Sequence, residues 1–397
     1  MLTGRDTERH LAPSVAARLR ARNEASRAFF AREAKPLASA ARDIARRFLA
    51  GGRLYAFGQG PYATDAQHIA VEFVHPVIVG KRALPAIDIS LAGELGVKAL
   101  VGPSDVAIAF GPPQGDERAE HVLEVARACG AFTVAMPGGG ADYAVAAPSD
   151  DPHIHQELFE VLGHTLYESV HVFLEHRDDG AGVGPAAFLY PYLGGQTMSE
   201  DALLESVTES IKIKAADAEA LREQIATEQS HAIADATLAI AQRLQRGGKL
   251  LLFGNGGSAT DATDWALDCI DPGGGRAAIP AISLASEPAV ITAVGNDVGG
   301  ELIFVRQLCA HAQPDDVAIA LSTSGGSANV IAALAEARKR GLLTVALLGY
   351  DGGEIARRGL ADHALVVDCD YIPRIQEAHA AIYHVMREAL GVLCHGP

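Results

Sequence analysis

The sequence repeats one long pattern in its two halves. GGRLYAFGQGPYATDAQHIAVEF, which begins at residue 51, aligns without gaps with GGKLLLFGNGGSATDATDWALDC, which begins at residue 247. Two later blocks also repeat, and they pair Gly111 with Ser322 and His164 with His384. The offset between the copies grows along the chain, as expected when surface loops gain residues. The repeat predicts two domains of one fold, and 397 residues are enough for each domain to bury a core.

Each copy alternates short apolar runs with long segments of helical period. VAIALS and LTVALLG are typical of buried strands, whereas ANVIAALAEARKR has the spacing of an amphipathic helix. This alternation predicts an α/β fold, a doubly wound, flavodoxin-like parallel sheet flanked by helices. A long helical stretch opens each copy, at roughly residues 12–50 and 200–246. We place the N-terminal domain at 1–178, a linker rich in glycine and proline at 179–199, and the C-terminal domain at 200–397.

The charge and the cysteines exclude several functions. A net charge of −16 would repel nucleic acid and an anionic membrane surface, so neither is expected as a partner. The start of the chain, MLTGRDTERH, carries charges where a secretion signal needs an apolar core, and no later run has the length of a membrane span. We therefore expect a cytoplasmic protein. Its five cysteines form no close pair and are expected to be reduced thiols.

Two loops of the second copy have the composition of a phosphate site. FGNGGSATDA places Ser258 at the start of a helix after a strand, with Asp261 three residues later as a capping-box partner. STSGGSANV adds four hydroxyl groups and the amides of a second helix N-terminus. Glycine and serine are also common in ordinary turns and caps, so each loop alone is ambiguous. Two such loops at successive carboxyl ends of a parallel sheet favour a bound phosphate.

These loops, together with VGND at 294–297, LLGYDGGEIA and RIQEAH, resemble the sugar isomerase (SIS) domain of the phosphoheptose isomerase family. The resemblance covers almost all of residues 200–393. It implies the interconversion of sedoheptulose 7-phosphate and D-glycero-D-manno-heptose 7-phosphate at sites that lie on subunit interfaces of a homotetramer. It also implies that the substrate and its phosphate are held by Asn255, Gly256, Gly257, Ser258, Asp297, Ser322, Thr323, Ser324 and Ser327.

The same family has a catalytic His and Glu four residues apart on one helix, and a Gln and a His eight residues apart on the last helix. In the first copy these positions hold His68, Glu72, Gln156 and His164. The spacing places each pair on one face of its helix, and two imidazoles, a carboxylate and an amide oxygen suit Zn²⁺. Glu72 is the expected base of an enediol mechanism, and His164 the acid or second base. The alternative for a His and a Glu at this spacing is a solvated, ion-paired helix face.

The second copy departs from this set, because the four positions hold Asp264, Asp268, Gln376 and His384. We expect a vestigial site with a solvated or interface carboxylate pair; a second, oxygen-rich metal site is the alternative. The first copy in turn lacks the phosphate loops: GQGPY replaces GNGGS, GPPQGD replaces STSGGS, and Asp116 stands in place of a serine. Prolines remove amide donors, and the carboxylate would repel a phosphate.

Each copy therefore keeps what the other lacks. We hypothesise a composite site in which the second domain holds the phosphate and the first supplies the metal and the bases. Two chains would form a homodimer, a pseudo-tetramer of SIS domains. One alternative is a phosphosugar sensor without turnover. A second is a scaffold that binds a protein partner, as the DnaA initiator-associating protein of the same fold does. A third is an isomerase of another phosphosugar. The complete first-copy set favours an enzyme.

Overall fold

The computed structural model describes residues 4–77, 81–175, 199–273 and 276–395. It divides into two compact units. The first unit comprises residues 23–219, and the second unit comprises residues 1–22 together with residues 220–397. The linker predicted at 179–199 lies outside the described residues, apart from Ser199. Among the helices of the described residues, none is both long enough and apolar enough to cross a membrane.

The first unit contains a five-stranded sheet with a core on each face. Successive residues of a strand point to opposite faces of the sheet, and in β1 the neighbours Leu54 and Tyr55 accordingly belong to different cores. The elements of this unit, of which α1 and α6 belong to it only in part, are α1 (Gly4–Leu49), β1 (Leu54–Phe57), α2 (Tyr62–Val74), β2 (Ala86–Asp88), α3 (Gly93–Leu100), β3 (Val106–Phe110), α4 (Glu117–Ala128), β4 (Phe132–Met136), β5 (Tyr143–Ala144), α5 (Pro152–Glu175) and α6 (Glu200–Glu228).

The second unit repeats this plan with its own five-stranded sheet. Its central strands are mostly apolar and buried on both faces, as in VAIALS, because helices cover both faces of the sheet. The elements that follow α6 are α7 (Ser230–Leu244), β6 (Leu250–Phe253), α8 (Gly257–Ile270), β7 (Ala281–Ser283), α9 (Pro288–Asp297), a 3₁₀ helix (Gly300–Leu302), α10 (Ile303–His311), β8 (Val317–Ser322), α11 (Ala328–Lys339), β9 (Leu343–Gly349), α12 (Gly353–Arg357), β10 (His363–Val367) and α13 (Ile372–His395).

The two sheets have the same topology. The strand order is β2-β1-β3-β4-β5 in the first unit and β7-β6-β8-β9-β10 in the second, and all neighbours are parallel. The registers also correspond, since Leu54 lies opposite Val106 and Leu250 lies opposite Val317. These observations confirm the predicted doubly wound, flavodoxin-like fold. The order in which strands are added to the sheet reverses between β1 and β3, and between β6 and β8. Such switch points are where doubly wound sheets bind ligands.

The long helices α1 and α6 are each divided between the units. In the second unit, Val15 and Leu19 of α1 belong to the same core cluster as Ile225 of α6. In the first unit, Leu37 of α1 shares a core cluster with Val207 of α6. A helix of 46 residues is about 69 Å long, more than one small core can cover. The compact units therefore differ from the predicted domains at both helices.

Candidate functional site

Three side chains of the first unit converge between helices α2 and α5. His68 and Glu72 lie one turn apart on α2, and His164 lies on α5. The Nε2 atoms of His68 and His164 are 3.2 Å apart, and His68 Nε2 is 4.0 Å from Glu72 Oε1. One potential ligand atom from each residue lies within 4.8 Å of the others. Two imidazole nitrogens and one carboxylate oxygen thus share a small volume.

Local sequence explains this convergence. The four-residue spacing places His68 and Glu72 on the buried face of α2, and α5 is buried along most of its length. The exposed fraction is 8% for His68 and 1% for both Glu72 and His164. The alternative of a solvated, ion-paired face is therefore excluded.

The Glu72 carboxylate fits a cation. Its Oε2 is buried and has no hydrogen-bond partner among the described residues. A buried carboxylate oxygen is costly unless a donor or a cation satisfies it. Zn²⁺ accepts imidazole nitrogens and carboxylate oxygens together, so His68, Glu72 and His164 are suited to hold it.

Gln156, the fourth predicted member, makes a different contact. It is buried on α5, and its Nε2 donates to both carboxylate oxygens of Asp65 at 3.3 and 3.2 Å. The structure thus brings three of the four predicted residues into one group and places the Gln156 amide beside Asp65. A small cleft adjoins the group, and it is lined by Asp65, His68, Ile69, Glu72, Phe110, Phe159, Glu160, Gly163 and His164.

Two lining residues of this cleft, Asp65 and Glu160, did not emerge as site residues from the sequence. Glu160 precedes His164 by four residues on α5, so helical spacing alone would have placed it on the same face. Asp65 aligns with Asp261 of the second copy, for which the sequence predicts a capping role rather than a place in the site. Both carboxylates add negative charge to a cleft that already contains Glu72.

The first phosphate-type loop of the second unit follows β6. Helix α8 begins at Gly257, and the residue before it, Gly256, has a φ of 58° and caps the helix without a side-chain hydrogen bond. The predicted capping box of Ser258 and Asp261 is therefore wrong, because Ser258 already lies inside the first turn. A glycine cap leaves the first amides of α8 without a side-chain acceptor, which is the condition for binding an anion there.

The second loop follows β8, whose last residue is the buried Ser322. Gly325 has a φ of 59°, and a Cβ there would lie 2.1 Å from the carbonyl oxygen of Gly352, so only glycine fits. Ser327 is the residue before α11, yet its side chain makes no capping hydrogen bond. Ser324 Oγ accepts a hydrogen bond from the amide of Gly326 at 3.2 Å. The loop is tightly formed. Ser327 makes no cap, but Asn329 Oδ1 accepts a hydrogen bond from the Val330 amide at 3.0 Å, which leaves the amides before Val330 for an external acceptor.

An asparagine pair joins the two loops. Asn255 Nδ2 donates to Asn329 Oδ1 at 2.9 Å, and Asn329 Nδ2 donates to Asn255 Oδ1 at 2.8 Å. Asn329 was not predicted as a site residue, although its position in STSGGSANV offered the signal. Thr323 is half-buried in the second loop, whereas Asp297 is exposed at the end of α9, where it accepts from Asn296.

The corresponding helix in the first unit is already capped. Asp116 Oδ1 accepts a hydrogen bond from the amide of Ala119 at 2.8 Å, at the position that Ser327 occupies in the second copy. The Asp116 carboxylate thus takes the place that an external anion could occupy. The helix after β1 starts behind Pro61, which also makes no side-chain cap. The amide of Val330, which aligns with Ala119, instead donates to the neutral Asn329 side chain, so α11 lacks the carboxylate that covers the start of α4.

The altered set of the second unit also forms a cluster. His384 Nε2 lies 3.4 Å from Asp264 Oδ2 and 3.3 Å from Asp268 Oδ2. All three side chains are buried, so the expectation of a solvated carboxylate pair is wrong. Burial raises the pKa of the Asp264 carboxyl, and the neighbouring Asp268 carboxylate raises it further. Gln376 is buried as well, at 2% exposure.

A doubly wound sheet with serine- and glycine-rich loops at its switch point is typical of SIS domains, and the SIS domain family model matches residues 215–349. The phosphoheptose isomerase of Pelobacter propionicus is 43% identical over 185 residues, a match that covers 46% of this chain and 95% of that protein. The phosphoheptose isomerase of Geotalea daltonii is 42% identical over 183 residues, which cover 46% of this chain and 94% of that protein. The chain belongs to the SIS domain family, and its relatives there include these phosphoheptose isomerases.

Solved structures extend the likeness of fold to the whole chain. A putative phosphosugar isomerase from Silicibacter pomeroyi covers 95% of this chain and 96% of its own, with a TM-score of 0.55 and 13% identity. The C-terminal domain of glucosamine-fructose-6-phosphate aminotransferase from Francisella tularensis covers 92% of this chain and 96% of its own, with a TM-score of 0.54 and 10% identity. At this identity the likeness is one of fold, and it agrees with two tandem SIS-type units.

Proposed function

We propose that the protein is an aldose–ketose isomerase that acts on a sugar phosphate, with sedoheptulose 7-phosphate as its substrate. The observation that carries the proposal is the buried cluster of His68, Glu72 and His164, in which Glu72 Oε2 is available to a proton. The similarity to phosphoheptose isomerases supports a sugar phosphate as the class of substrate.

Isomerisation moves a proton between adjacent carbons. Glu72 would take a proton from C1 of the ketose while His164 donates one to the carbonyl oxygen at C2, which gives an enediol. Removal of the proton on the C1 oxygen by His164, and return of a proton from Glu72 to C2, would complete the aldose. A Zn²⁺ held by His68, Glu72 and His164 would polarise the carbonyl. Gln156 is the proposed fourth ligand.

The phosphate end of the substrate would bind at the loops of the second copy. Hydroxyl groups are offered there by Ser258, Ser322, Thr323, Ser324 and Ser327. The N-termini of α8 and α11, which carry no acidic cap, would offer amides and a favourable dipole. Asp116 covers the equivalent helix end in the first copy. We therefore propose that the copies divide the work, with acid–base chemistry in the first and phosphate binding in the second.

The test follows deuterium uptake in deuterated water. Zinc-supplemented protein is incubated with sedoheptulose 7-phosphate, and NMR measures both deuterium next to the carbonyl and formation of the aldose. Glu72→Gln removes the base at nearly constant shape, so the rate of uptake should fall at least about 100-fold. Glu124→Gln, the same change at an exposed glutamate of the first unit, should leave the rate unchanged.

The outcome also decides between turnover and sensing. The altered Asp264 and Asp268 favour a sensor, because one of the two clusters has departed from the family's set. Tight binding of the phosphosugar without deuterium uptake would support the sensor and reject the isomerase. Uptake that persists in Glu72→Gln would reject Glu72 as the base while leaving the isomerase in place.

A further inference from the structure

The cluster in the second unit has been rebuilt around its aspartates. The alignment pairs His68 with Asp264, and Gly163 with Tyr383. Aspartate is smaller than histidine, and tyrosine fills the space that glycine leaves. The Tyr383 hydroxyl donates to Asp264 Oδ2 at 2.7 Å, so the new aromatic side chain also orients the new carboxylate.

The residue after His68 on its helix, Ile69, also differs between the copies and aligns with Trp265. In the first unit, a Cβ on Gly163 would lie 3.3 Å from Ile69 Cδ1, which leaves little room for a larger residue. In the second unit the pair becomes Tyr383 and Trp265, whose rings stack at 5.4 Å between centroids with an interplanar angle of 16°. Both are almost fully buried. Complementary changes at three positions maintain a packed, ordered cluster.

We propose that Asp264, Asp268 and His384 bind a divalent cation of the Mn²⁺ class, at a site chemically distinct from the His68, Glu72 and His164 cluster of the first unit. One ligand atom from each of the three lies within 4.8 Å of the others. The proposal does not depend on turnover or on the identity of the sugar.

The distances are those between ligands of one ion. Atoms that are bound to a metal at about 2.1 Å, with angles between octahedral and tetrahedral, lie about 3.0–3.5 Å apart. His384 Nε2 lies 3.4 Å from Asp264 Oδ2 and 3.3 Å from Asp268 Oδ2. The corresponding nitrogen pair of the first unit, His68 and His164, is separated by 3.2 Å.

The donor set determines the class of ion. The first cluster offers two nitrogens and one carboxylate, whereas the second offers one nitrogen and two carboxylates, a change toward the oxygen donors that Mn²⁺ and Mg²⁺ prefer. Two buried carboxylates one helical turn apart also repel each other, and a dication would offset that repulsion more strongly than the single His384 imidazole that contacts both. Arg387 is buried beside them, but its Nε donates to the main-chain oxygen of Asp268 rather than to a carboxylate.

A further oxygen donor lies on the same helix as His384. Gln376 is 2% exposed, and its Oε1 has no hydrogen-bond partner among the described residues. A buried amide oxygen of this kind requires a donor, a water or a cation. Gln376 would complete two carboxylates, an imidazole and an amide around the ion, with Tyr383 holding Asp264 in position as a second layer.

The experiment measures Mn²⁺ binding to the metal-free full-length chain by electron paramagnetic resonance, with thermal unfolding followed in parallel. Wild type and His164→Gln, which alters only the first cluster, should both bind Mn²⁺ at a site that shows coupling to an imidazole nitrogen. Asp268→Asn should weaken that binding at least about 100-fold. Tyr383→Phe keeps every ligand and should weaken it about 10-fold.

Several results would contradict the proposed cation site. If Asp268→Asn and Tyr383→Phe bind Mn²⁺ as wild type does, or if His164→Gln abolishes all binding, the second cluster is not the site. Unfolding provides an independent readout, because Mn²⁺ should raise the melting temperature of wild type and His164→Gln but not that of Asp268→Asn. A metal-independent stabilisation by Asp268→Asn, with no response to Mn²⁺ in wild type, would identify the cluster as a repulsive structural pair.

Discussion

His171 lies on α5 of the first unit with 1% of its surface exposed, and neither of its ring nitrogens has a hydrogen-bond partner among the described residues. Burial lowers the pKa of its imidazole from 6.5 to about 3, and the positive charges of Lys81 and Arg82 add to the effect. The folded protein therefore holds His171 neutral at pH values where the unfolded chain is protonated. Proton binding to the unfolded state then reduces stability as the pH falls.

We predict that His171→Phe removes part of the acid sensitivity of the fold. The contribution of neutral His171 to stability is complete above pH 6.5 and is lost as the pH falls from there toward about 3. Between pH 7 and pH 5 the free energy of unfolding of wild type should drop by about 2 kcal/mol relative to His171→Phe. Urea denaturation at the two pH values measures this difference.

The control for this prediction is His231→Phe, the same change at an exposed helical position of the second unit. It should leave the pH dependence of wild type unaltered. Parallel pH profiles for wild type and His171→Phe would show that the His171 imidazole becomes protonated without unfolding, contrary to the prediction.

Single residues also show how far the sequence defines the site. His68, Glu72 and His164 could be predicted because the resemblance to the phosphoheptose isomerase family implies them and their helical spacing agrees with a shared site. The contact of Gln156 with Asp65 could not be predicted, because the direction of an amide depends on neighbours from another helix. The burial of Asp264 and Asp268 was likewise hidden, since two aspartates one turn apart resemble a solvated helix face in any sequence.

Helix α11 and its first-copy counterpart α4 begin in different ways. Asp116 caps α4 through its own carboxylate, whereas Ser327 makes no cap on α11 and the neutral Asn329 side chain accepts from the Val330 amide instead. We predict that Ser327→Asp converts α11 to the closed form of α4. The new carboxylate would accept the first-turn amides and repel a phosphate, so affinity for a sugar phosphate should fall at least about 10-fold while the melting temperature holds or rises.

Calorimetric titration with sedoheptulose 7-phosphate measures the affinity of Ser327→Asp. Ser327→Asn is the matched control, because asparagine also caps helices but carries no charge. A smaller loss in the Asn variant than in the Asp variant would assign the difference to electrostatic repulsion. Unchanged affinity in Ser327→Asp would place the phosphate away from the N-terminus of α11.

The first-copy counterpart of α11, helix α4, leads to a prediction about stability only. Asp116→Ala deletes the acceptor for the Ala119 amide, so the free energy of unfolding should fall by about 1 kcal/mol. Denaturation by urea measures the loss, and Asp116→Ser, which keeps a capping oxygen, should recover most of it. If Asp116→Ala and wild type unfold at the same urea concentration, the cap contributes nothing to the fold.

The elements themselves were largely predictable, and the failures have local causes. The alternation of apolar strands and amphipathic helices yielded the correct sheet type, because a parallel sheet covered on both faces leaves continuous apolar runs such as VAIALS. The capping box at Ser258 failed because Gly256 adopts a positive φ and starts α8 one residue before Ser258. Sequence spacing does not reveal which residue takes the cap when glycine and serine are adjacent.

At the scale of the molecule, the repeat correctly predicted two units of one fold but placed their limits differently. Residues 1–22 belong to the compact unit that contains residues 220–397, and α6 is divided at residue 219. A sequence pattern reports that a segment is helical and amphipathic, and both α1 and α6 have apolar residues throughout. Which core such a helix joins depends on the tertiary packing, which periodicity does not encode.

The proposed division of work between the copies leads to a prediction for two chains. We propose a homodimer, and Glu72→Gln and Ser324→Ala chains should each be inactive because each removes one half of the chemistry. If one substrate is served by the first copy of one chain and the second copy of its partner, subunit exchange restores one intact site in every mixed dimer. An equal mixture should then regain about a quarter of wild-type activity, since half of the dimers are mixed and each has one working site.

Sites formed within a single chain give the opposite result, because every chain in the mixture carries one defect and no exchange can repair it. Mixing each variant with itself controls for refolding, and native mass spectrometry confirms that mixed dimers form. A mixture that contains mixed dimers but remains inactive would therefore assign both halves of the chemistry to one chain. A chain that sediments as a monomer at working concentration would reject the homodimer itself. If that monomer were active, the phosphate loops and the Glu72 cluster would have to serve one substrate without a partner chain.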